Sequence, residues 1–544
     1  MGLSAKRCRV LKLPIPHRQI NRRPRQQTDL IRKPKLSLTF CKKKGRAFRK
    51  ANETPSPMLP TELSTPRLLH RRSALPLLEP DGRWSRCAFL ALGVLLLAVS
   101  GCTTMGPYYP NRDKPDNSVA NTEGKDYRLA FIEFGEQGSY HDKTQLTQAL
   151  KLVSDTKRKV LLVMYVHGWH NNAKSHDVQR FENFLGGLAS SPRVQQEGFQ
   201  VTGVYLGWRG ESLAIPKLNS VFTIWDRKTA AERLASNNDC IDAIADLSAC
   251  ARLRPRDQHY VILMGHSLGG LVVERAVAHS ISAAIHSRAP RARPGDLIFT
   301  LNPASDSILT RQLVSSLNDR FTYHGNYTGD GTYSTRTPGI TFPGNQQAIV
   351  ALSAKNDRAT GGLFPVAMRF GQFSKGFHDV PSPSPLMHGK TEPEGRYYLS
   401  TPGNKEDLVT HDVVPVSAGP IPAPGSYYNA LEANLDDRNM RDGYFVTSNS
   451  NPARAAVTGM TVEGNDPSAK VIWKQWKLAP RGNARTPYWI VQVPGEIIND
   501  HGGIWDPNSQ ALMAAIFRMN FPLRGKGSAP SAPAPMRMPA GRTL

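Results

Sequence analysis

One stretch near the middle of the chain, His259–Gly270, constrains the fold more than any other. Tyr260–Met264 is an uninterrupted apolar run bounded by charge and glycine, which predicts a buried β-strand. The run leads into Gly265-His-Ser-Leu-Gly269, and a helical apolar pattern begins at Leu271. A strand, a tight turn and a helix in this order expose the hydroxyl of Ser267 beside the free N–H groups of a helix start.

Further apolar runs along the rest of the chain also predict β-strands. Helical patterns separate most of them, and this alternation predicts an α/β fold with a mostly parallel sheet covered by helices on both faces. Residues 358–485 are rich in Pro, Gly, Ser and Asn, which predicts an inserted cap or a set of long loops before the last strand. The predicted strands besides Tyr260–Met264 are Arg128–Phe134, Val160–Val166, Val201–Leu206, Asp296–Leu301, Ala348–Ser353 and Trp489–Val493.

The sequence Gly265-His-Ser-Leu-Gly269 in its strand–turn–helix context resembles the nucleophile elbow of the α/β-hydrolase family. The resemblance covers roughly residues 125–520 and rests on few, short motifs. It implies a serine hydrolase of the esterase and lipase type that forms an acyl-enzyme on Ser267 and uses no cofactor or metal. The expected substrate is a small-molecule or lipid ester. The alternative is a non-catalytic envelope lipoprotein that uses the same fold as a binding platform.

The order of residues after the predicted strands resembles the family order of nucleophile, acid and base. Asp357 follows the strand Ala348–Ser353, and His501 follows the last strong strand, Trp489–Val493. By this resemblance Asp357 is the acid of a triad and His501 the base. The alternatives are Asp306 for the acid, and His378 or His411 for the base.

A His-Gly pair follows the strand Val160–Val166 directly. In α/β-hydrolases such a pair commonly lies beside the oxyanion hole, where backbone N–H groups meet developing negative charge. The resemblance therefore assigns the oxyanion donors to the N–H groups of Trp169 and Leu268. The alternative is a turn with no catalytic duty. Arg209, after another predicted strand, is expected to brace a loop, with binding of a substrate carboxylate or phosphate as the alternative.

The positive charge of the chain is concentrated at its amino-terminal end. The net charge is +25, yet residues 1–101 hold 22 Lys and Arg and 5 Asp and Glu, which leaves only +8 for the remainder. Residues 1–82 are basic and Pro-rich without apolar periodicity, and we expect a disordered extension there. A basic protein that binds nucleic acid is the competing interpretation, but the nearly neutral remainder does not favour a nucleic-acid partner.

Residues 83–102 have the form of an export signal, with a basic start, a short apolar core and small residues before Cys102. Val99-Ser-Gly-Cys102 resembles a bacterial lipobox, which implies a lipid-anchored protein of the cell envelope. Thr103 at the following position favours the periplasmic side of the outer membrane. A plain signal peptide or an uncleaved anchor is the alternative. We expect residues 103–126 to be a linker, 127–523 the hydrolase-like domain and 524–544 a disordered tail.

Two further cysteines remain after Cys102 in the expected mature chain. Cys240 and Cys250 are ten residues apart in a predicted helix, about 15 Å along its axis, which is too far for a disulfide. Their spacing does not match a metal-binding pattern either, so the sequence predicts no metal site.

Overall fold

The computed structural model describes residues 107–109, 119–120, 125–210, 224–286, 294–327, 333–335, 349–370, 376–381, 390–416, 443–448, 473–481 and 488–520. The chain divides into two compact units, Met1–Val94 and Leu95–Leu544, and every described residue belongs to the second. The predicted extension, the signal with Cys102 and the tail at 524–544 lie outside the described residues, as does most of the predicted linker.

A ten-stranded sheet forms the centre of the described part of the chain. Its strand order is β1-β3-β2-β4-β5-β8-β14-β11-β13-β12. The first eight strands in this order pair in parallel, and β13 and β12 continue the edge with antiparallel pairs. The strands, including those of two small hairpin sheets, are β1 Tyr127–Glu133, β2 Lys159–Val166, β3 Phe199–Gly207, β4 His259–His266, β5 Leu297–Leu301, β6 Gly325–Tyr327, β7 Tyr333–Thr335, β8 Ile349–Ala354, β9 Asp379–Pro381, β10 Thr391–Pro393, β11 His411–Pro415, β12 Tyr444–Ser448, β13 Trp473–Pro480 and β14 Tyr488–Val493.

Helices connect most of the parallel strands. None of the described helices is long and apolar enough to span a bilayer. The α-helices are α1 Thr144–Ser154, α2 His176–Ala189, α3 Pro192–Gln196, α4 Ile224–Ser236, α5 Asn238–Ala251, α6 Leu268–His286, α7 Ser307–His324, α8 Phe364–Phe370, α9 Gly395–Tyr398 and α10 Pro507–Asn520. Short 3₁₀ turns cover Arg256–Gln258, Pro402–Asn404 and Gly503–Trp505, and a π-helical turn covers Ala359–Leu363.

Two apolar cores lie on the two faces of the central sheet. Along β1 the side chains alternate between them, with Ala130 and Ile132 in one core and Leu129 and Phe131 in the other. Helices α2 and α10 contribute to the second core, and α1, α4, α5 and α6 to the first. The protein therefore has a mixed α/β fold with a largely parallel central sheet, as the alternating sequence pattern predicts.

The predicted insert, residues 358–485, differs from the expected cap or loops. Strands β11, β12 and β13 all lie in this region, and they extend the central sheet beyond β14. The alternation of buried and exposed residues that is typical of a β-strand is present in β13, where Trp476 and Leu478 are buried between partly exposed neighbours. Strands with this alternation lack a continuous apolar run, so they are harder to predict from the sequence than the buried parallel strands.

The predicted helix that holds Cys240 and Cys250 is α5, and a separate helix, α4, ends directly before it. The side chain of Asn237 accepts a hydrogen bond from Asp239 N and caps a new helix start. Cys240 and Cys250 both lie on α5 and both are free cysteines.

Parallel pairing brings the carboxyl ends of the strands to one edge of the sheet, here called the carboxyl edge. The loops after β2, β4, β5, β8 and β14 all leave the sheet at this edge. Ligand sites of open parallel sheets lie at this edge, because the loops of neighbouring strands meet there.

Candidate active site

Ser267 occupies a strained turn between β4 and α6. Its φ angle is 55°, in the left-handed region that a serine rarely adopts. The two motif glycines make the turn possible, because a Cβ on Gly269 would lie 2.2 Å from the carbonyl oxygen of Val166. A Cβ on Gly265 would lie 2.4 Å from the carbonyl oxygen of Gly269. Strand and helix therefore approach each other too closely for any larger residue at either position.

The loop after β2 lies directly against the Ser267 turn. A Cβ on Gly168 would come within 2.8 Å of Ser267 Cβ and 3.0 Å of the carbonyl oxygen of His266. Within the described residues, the backbone N–H groups of Trp169 and Leu268 make no hydrogen bond. Leu268 is the first residue of α6, where a helix leaves its N–H groups unsatisfied. Two free donors thus flank the serine.

His167, which the sequence offered only as half of the His-Gly pair, fixes this loop. It is fully buried, its Nε2 accepts a 3.0 Å hydrogen bond from Trp208 N, and its Nδ1 donates to the carbonyl oxygen of Gly168 at 2.9 Å. Trp208 Nε1 in turn donates to the His167 carbonyl at 2.9 Å. Burial lowers the pKa of His167, so the ring is neutral and serves as a structural tie between the loops after β2 and β3.

Asp357 and His501 form a hydrogen-bonded pair at the carboxyl edge. His501 Nδ1 lies 2.8 Å from Asp357 Oδ2, and the aspartate side chain is 1 % exposed against 25 % for the histidine. Asp357 also accepts hydrogen bonds from Thr360 Oγ1 at 2.7 Å and Ala359 N at 2.8 Å. Burial raises the pKa of Asp357, but the His501 and Thr360 contacts outweigh it and hold the pKa below its ordinary value.

The loops that carry Asp357 and His501 are joined by further hydrogen bonds. Asn356 Nδ2 donates to Asn499 Oδ1 at 3.1 Å, and Asn356 Oδ1 accepts from Asp500 N at 3.1 Å. Asp500 Oδ1 accepts from Arg358 N at 3.1 Å. Although the two loops are far apart in sequence, they behave locally as one unit that fixes the orientation of the imidazole.

Two buried polar residues that the sequence analysis did not select contact the backbone of His501. His266 Nε2 lies 3.0 Å from the His501 carbonyl oxygen. Asn302 Nδ2 donates to the same oxygen at 3.0 Å and to the Asp500 carbonyl at 3.2 Å. The available signal was positional: each is a polar residue at the carboxyl end of an apolar strand, β4 for His266 and β5 for Asn302.

Left-handed backbone is concentrated around this site. Four non-glycine residues in the described part of the chain have positive φ: Ser267 at 55°, His170 at 65°, Asn302 at 43° and Asp500 at 56°. All four lie in the loops that leave the carboxyl edge after β4, β2, β5 and β14. Strained backbone of this kind persists only where the surrounding structure holds it, and it collects at functional sites.

Ser267 and His501 both lie in loops at the carboxyl edge, after β4 and β14. No hydrogen bond joins Ser267 Oγ to His501 Nε2 in the part of the chain that the structure describes. His266, the residue before Ser267, has its ring 4.9 Å from the His501 ring, measured between centroids. Catalytic hydrogen bonds are often long without substrate and tighten on binding, so this geometry is compatible with a serine–histidine pair.

The alternative candidates for the acid, the base and the substrate-binding arginine make contacts elsewhere in the fold. Asp306 forms an ion pair with Lys228 at 2.9 Å. His411 starts β11 and its ring lies 4.0 Å from the ring of Trp489, and burial lowers its pKa to about 3. The backbone carbonyl of His378 accepts from Glu394 N at 2.8 Å. Arg209 pairs with Glu136 at 3.3 Å, as a residue that braces a loop would.

The described residues contain no group of three or more His, Cys, Asp or Glu that could hold a metal ion. They also form a partly open apolar pocket of about 130 Å³, lined by sheet residues such as Leu161 and Ile262 and by Phe184 of α2 and Phe517 of α10. None of the candidate site residues lines this pocket, so we treat it as separate from the site at the carboxyl edge.

The chain matches no protein-family model, no curated protein and no solved structure. The chemistry of the site is therefore inferred from its own residues.

Proposed function

We propose that the protein is a serine hydrolase of the α/β-hydrolase type that cleaves carboxylic esters through an acyl-enzyme on Ser267. One observation carries the proposal: a buried aspartate holds His501 at 2.8 Å, at the same sheet edge as a serine on a strained elbow. A carboxylate, an imidazole and a hydroxyl in this arrangement are the parts that nucleophilic acyl transfer needs.

The contacts support the role that we propose for each group. Because His501 Nδ1 faces Asp357, the Nδ1–H donates to the carboxylate and leaves the Nε2 lone pair free to act as a base. His501 takes the Ser267 proton as the serine oxygen attacks the ester carbonyl, and later returns it to the leaving alcohol. Asp357 stays ionised, consistent with its lowered pKa, and stabilises the imidazolium.

The oxyanion of the tetrahedral intermediate needs donors that are already in position. The free N–H groups of Trp169 and Leu268 are our candidates for these donors, because they flank Ser267 and make no other hydrogen bond among the described residues. Water then attacks the acyl-enzyme with His501 again as the base. These steps require neither a metal nor an organic cofactor.

The proposed substrate is a small-molecule or lipid ester. An elbow of this kind also serves amides, thioesters and lipid acyl bonds, so the choice of ester rests on the resemblance and not on a contact in the site. We further propose that the protein is held at the bacterial envelope through lipidated Cys102, with no nucleic-acid partner, because the basic residues 1–101 would be removed with the signal.

A second candidate function is a non-catalytic binding platform at the envelope. The missing hydrogen bond between Ser267 Oγ and His501 Nε2 in the described structure favours this alternative. A protein with this fold but without catalytic activity would keep the turn at Ser267 and the buried Asp357 for stability, while the Ser267 hydroxyl is not activated by a base.

Labelling by a fluorophosphonate probe distinguishes the two functions. We expect the wild-type protein to be labelled and to hydrolyse p-nitrophenyl esters, and Ser267→Ala to lose both, by several orders of magnitude in turnover. Ser280→Ala is the matched control, since Ser280 lies on α6, the helix that follows Ser267, and its hydroxyl donates to the Ala276 carbonyl of the same helix. A folded wild-type protein that is neither labelled nor active would favour the binding platform. Undiminished labelling of Ser267→Ala would exclude Ser267 as the nucleophile.

A further inference from the structure

The backbone carbonyl of His501 accepts hydrogen bonds from two buried side chains at once. His266 Nε2 and Asn302 Nδ2 each lie 3.0 Å from this oxygen. A histidine in an extended surface loop normally has its backbone solvated, whereas here both donors come from the ends of central strands. The contacts therefore tie the peptide of His501 to the most rigid part of the fold.

His266 links this carbonyl to the serine. It is the last residue of β4 and immediately precedes Ser267, so its ring and the nucleophile are carried by consecutive residues. Because a carbonyl oxygen only accepts, His266 Nε2 must carry the proton, and its buried Nδ1 has no partner in the described structure. Burial, with the nearby His501 second, lowers the pKa of His266 to about 3, so the ring donates as a neutral group.

Asn302 links the same carbonyl to the strand that precedes the aspartate. The Asn302 side-chain Oδ1 accepts a hydrogen bond from Ala354 N at 2.8 Å, and the Asn302 backbone N–H donates to the Leu352 carbonyl at 2.7 Å. Both partners belong to β8, which leads into the loop of Asp357. Asn302 is 1 % exposed, and its φ of 43° suits an asparagine better than most other residues.

We propose that His266 and Asn302 are positioning residues that set the distances of His501 from Ser267 and from Asp357. The inference rests on the proposed function, because it specifies how Ser267, Asp357 and His501 are placed relative to one another. His501 touches the serine through no hydrogen bond of its own in the described structure. His266 and Asn302 instead hold the backbone carbonyl of His501. His266 is on the strand that leads to Ser267, and Asn302 is bonded to the strand that leads to Asp357.

Four single variants test the proposal in the full-length protein. His266→Leu removes the donor, and His266→Gln replaces it with an amide N–H. Asn302→Asp keeps the acceptor for Ala354 N but places an oxygen where the N–H was. His279→Leu is the control, since His279 is exposed on α6. We expect kcat for a p-nitrophenyl ester to fall roughly a hundredfold in His266→Leu and Asn302→Asp, because a displacement near 1 Å costs about that much.

The split of the kinetic constants separates positioning from loss of structure. We expect KM to stay within about threefold of wild type, His266→Gln to recover most of the lost kcat, and His279→Leu to behave as wild type. Because both donors hold one oxygen, the double variant His266→Leu/Asn302→Asp should lose much less than the product of the single losses. Full multiplicative losses, or no recovery in His266→Gln, would overturn the proposal.

A spectroscopic readout keeps the test independent of the proposed chemistry. The NMR chemical shift of the His501 Nδ1 proton, assigned with His501→Gln, reports the hydrogen bond to Asp357 and should change in His266→Leu and Asn302→Asp and not in His279→Leu. If the wild-type protein lacks turnover and probe labelling, the proposed function fails, and this chemical shift still decides whether the two residues hold His501. A chemical shift that is identical in all variants would overturn the positioning role.

Discussion

Substitution of Gly168 by alanine is the sharpest single test of how closely the loop after β2 approaches the serine. The φ angle of Gly168 is not positive, so alanine can adopt the backbone and only the available space is at issue. The added Cβ would lie 2.8 Å from Ser267 Cβ, 3.0 Å from the His266 carbonyl oxygen and 3.2 Å from His266 Nδ1. None of these neighbours is the free end of a flexible side chain.

The size of the effect follows from these distances. Ordinary van der Waals contact begins near 3.4 Å, so the loop and the serine must separate by about 0.6 Å. A displacement of 1 Å costs about a hundredfold in rate, and 0.6 Å therefore costs roughly ten- to twentyfold in kcat. Overpacking of a close contact also costs roughly 1–3 kcal/mol in the free energy of unfolding.

Steady-state hydrolysis of a p-nitrophenyl ester and urea unfolding measure the two effects. Gly186→Ala is the control, since its Cβ would meet Tyr127 Cε1 at an ordinary 3.6 Å and it lies inside α2. That change should stabilise the fold by roughly 0.5–1 kcal/mol and leave kcat unchanged. Wild-type kcat and unfolding free energy in Gly168→Ala would refute the close approach of this loop to Ser267.

Three further predictions follow. Asp357→Asn should lower kcat by about 10⁴-fold through the wrong tautomer of His501, and Asp306→Asn should change it little; the reverse result would exchange their roles. His411 has its pKa lowered to about 3 by burial, so the unfolded state binds more protons between pH 3 and 6.5. The free energy of unfolding should therefore rise as the pH is raised across that window, and His411→Phe should reduce this slope by about 1.4 kcal/mol per pH unit in urea unfolding. Mass spectrometry of the membrane-extracted protein should find Cys102 lipidated and amino-terminal; an unmodified Cys102 would contradict this.

Much of the central fold could be predicted from the sequence because buried parallel strands leave a local signal. Tyr260–Met264 and Val160–Val166 are apolar along their length, as strands covered on both faces must be, and both belong to the ten-stranded sheet. The turn at Ser267 also has a local cause, since Gly265 and Gly269 are the residues that its close approach requires.

The rest of the sheet could not be predicted in the same way. Strands β11, β12 and β13 form one side of the sheet, where partly exposed positions interrupt the apolar pattern. Their assignment to the sheet depends on pairing with β14 and with one another, which involves residues far apart in the chain. Local periodicity does not record such pairing.

The sequence by itself determined the α/β class and the elbow at Ser267, because the apolar runs of buried strands and the glycines of the turn are patterns of residues within a few positions of one another. Only the tertiary structure decided that Asp357 rather than Asp306 meets His501, and that His266 and Asn302 hold the His501 backbone. These contacts join separate loops at the carboxyl edge, and the distance between such loops is set by the register of parallel strands, which no local pattern in the chain specifies.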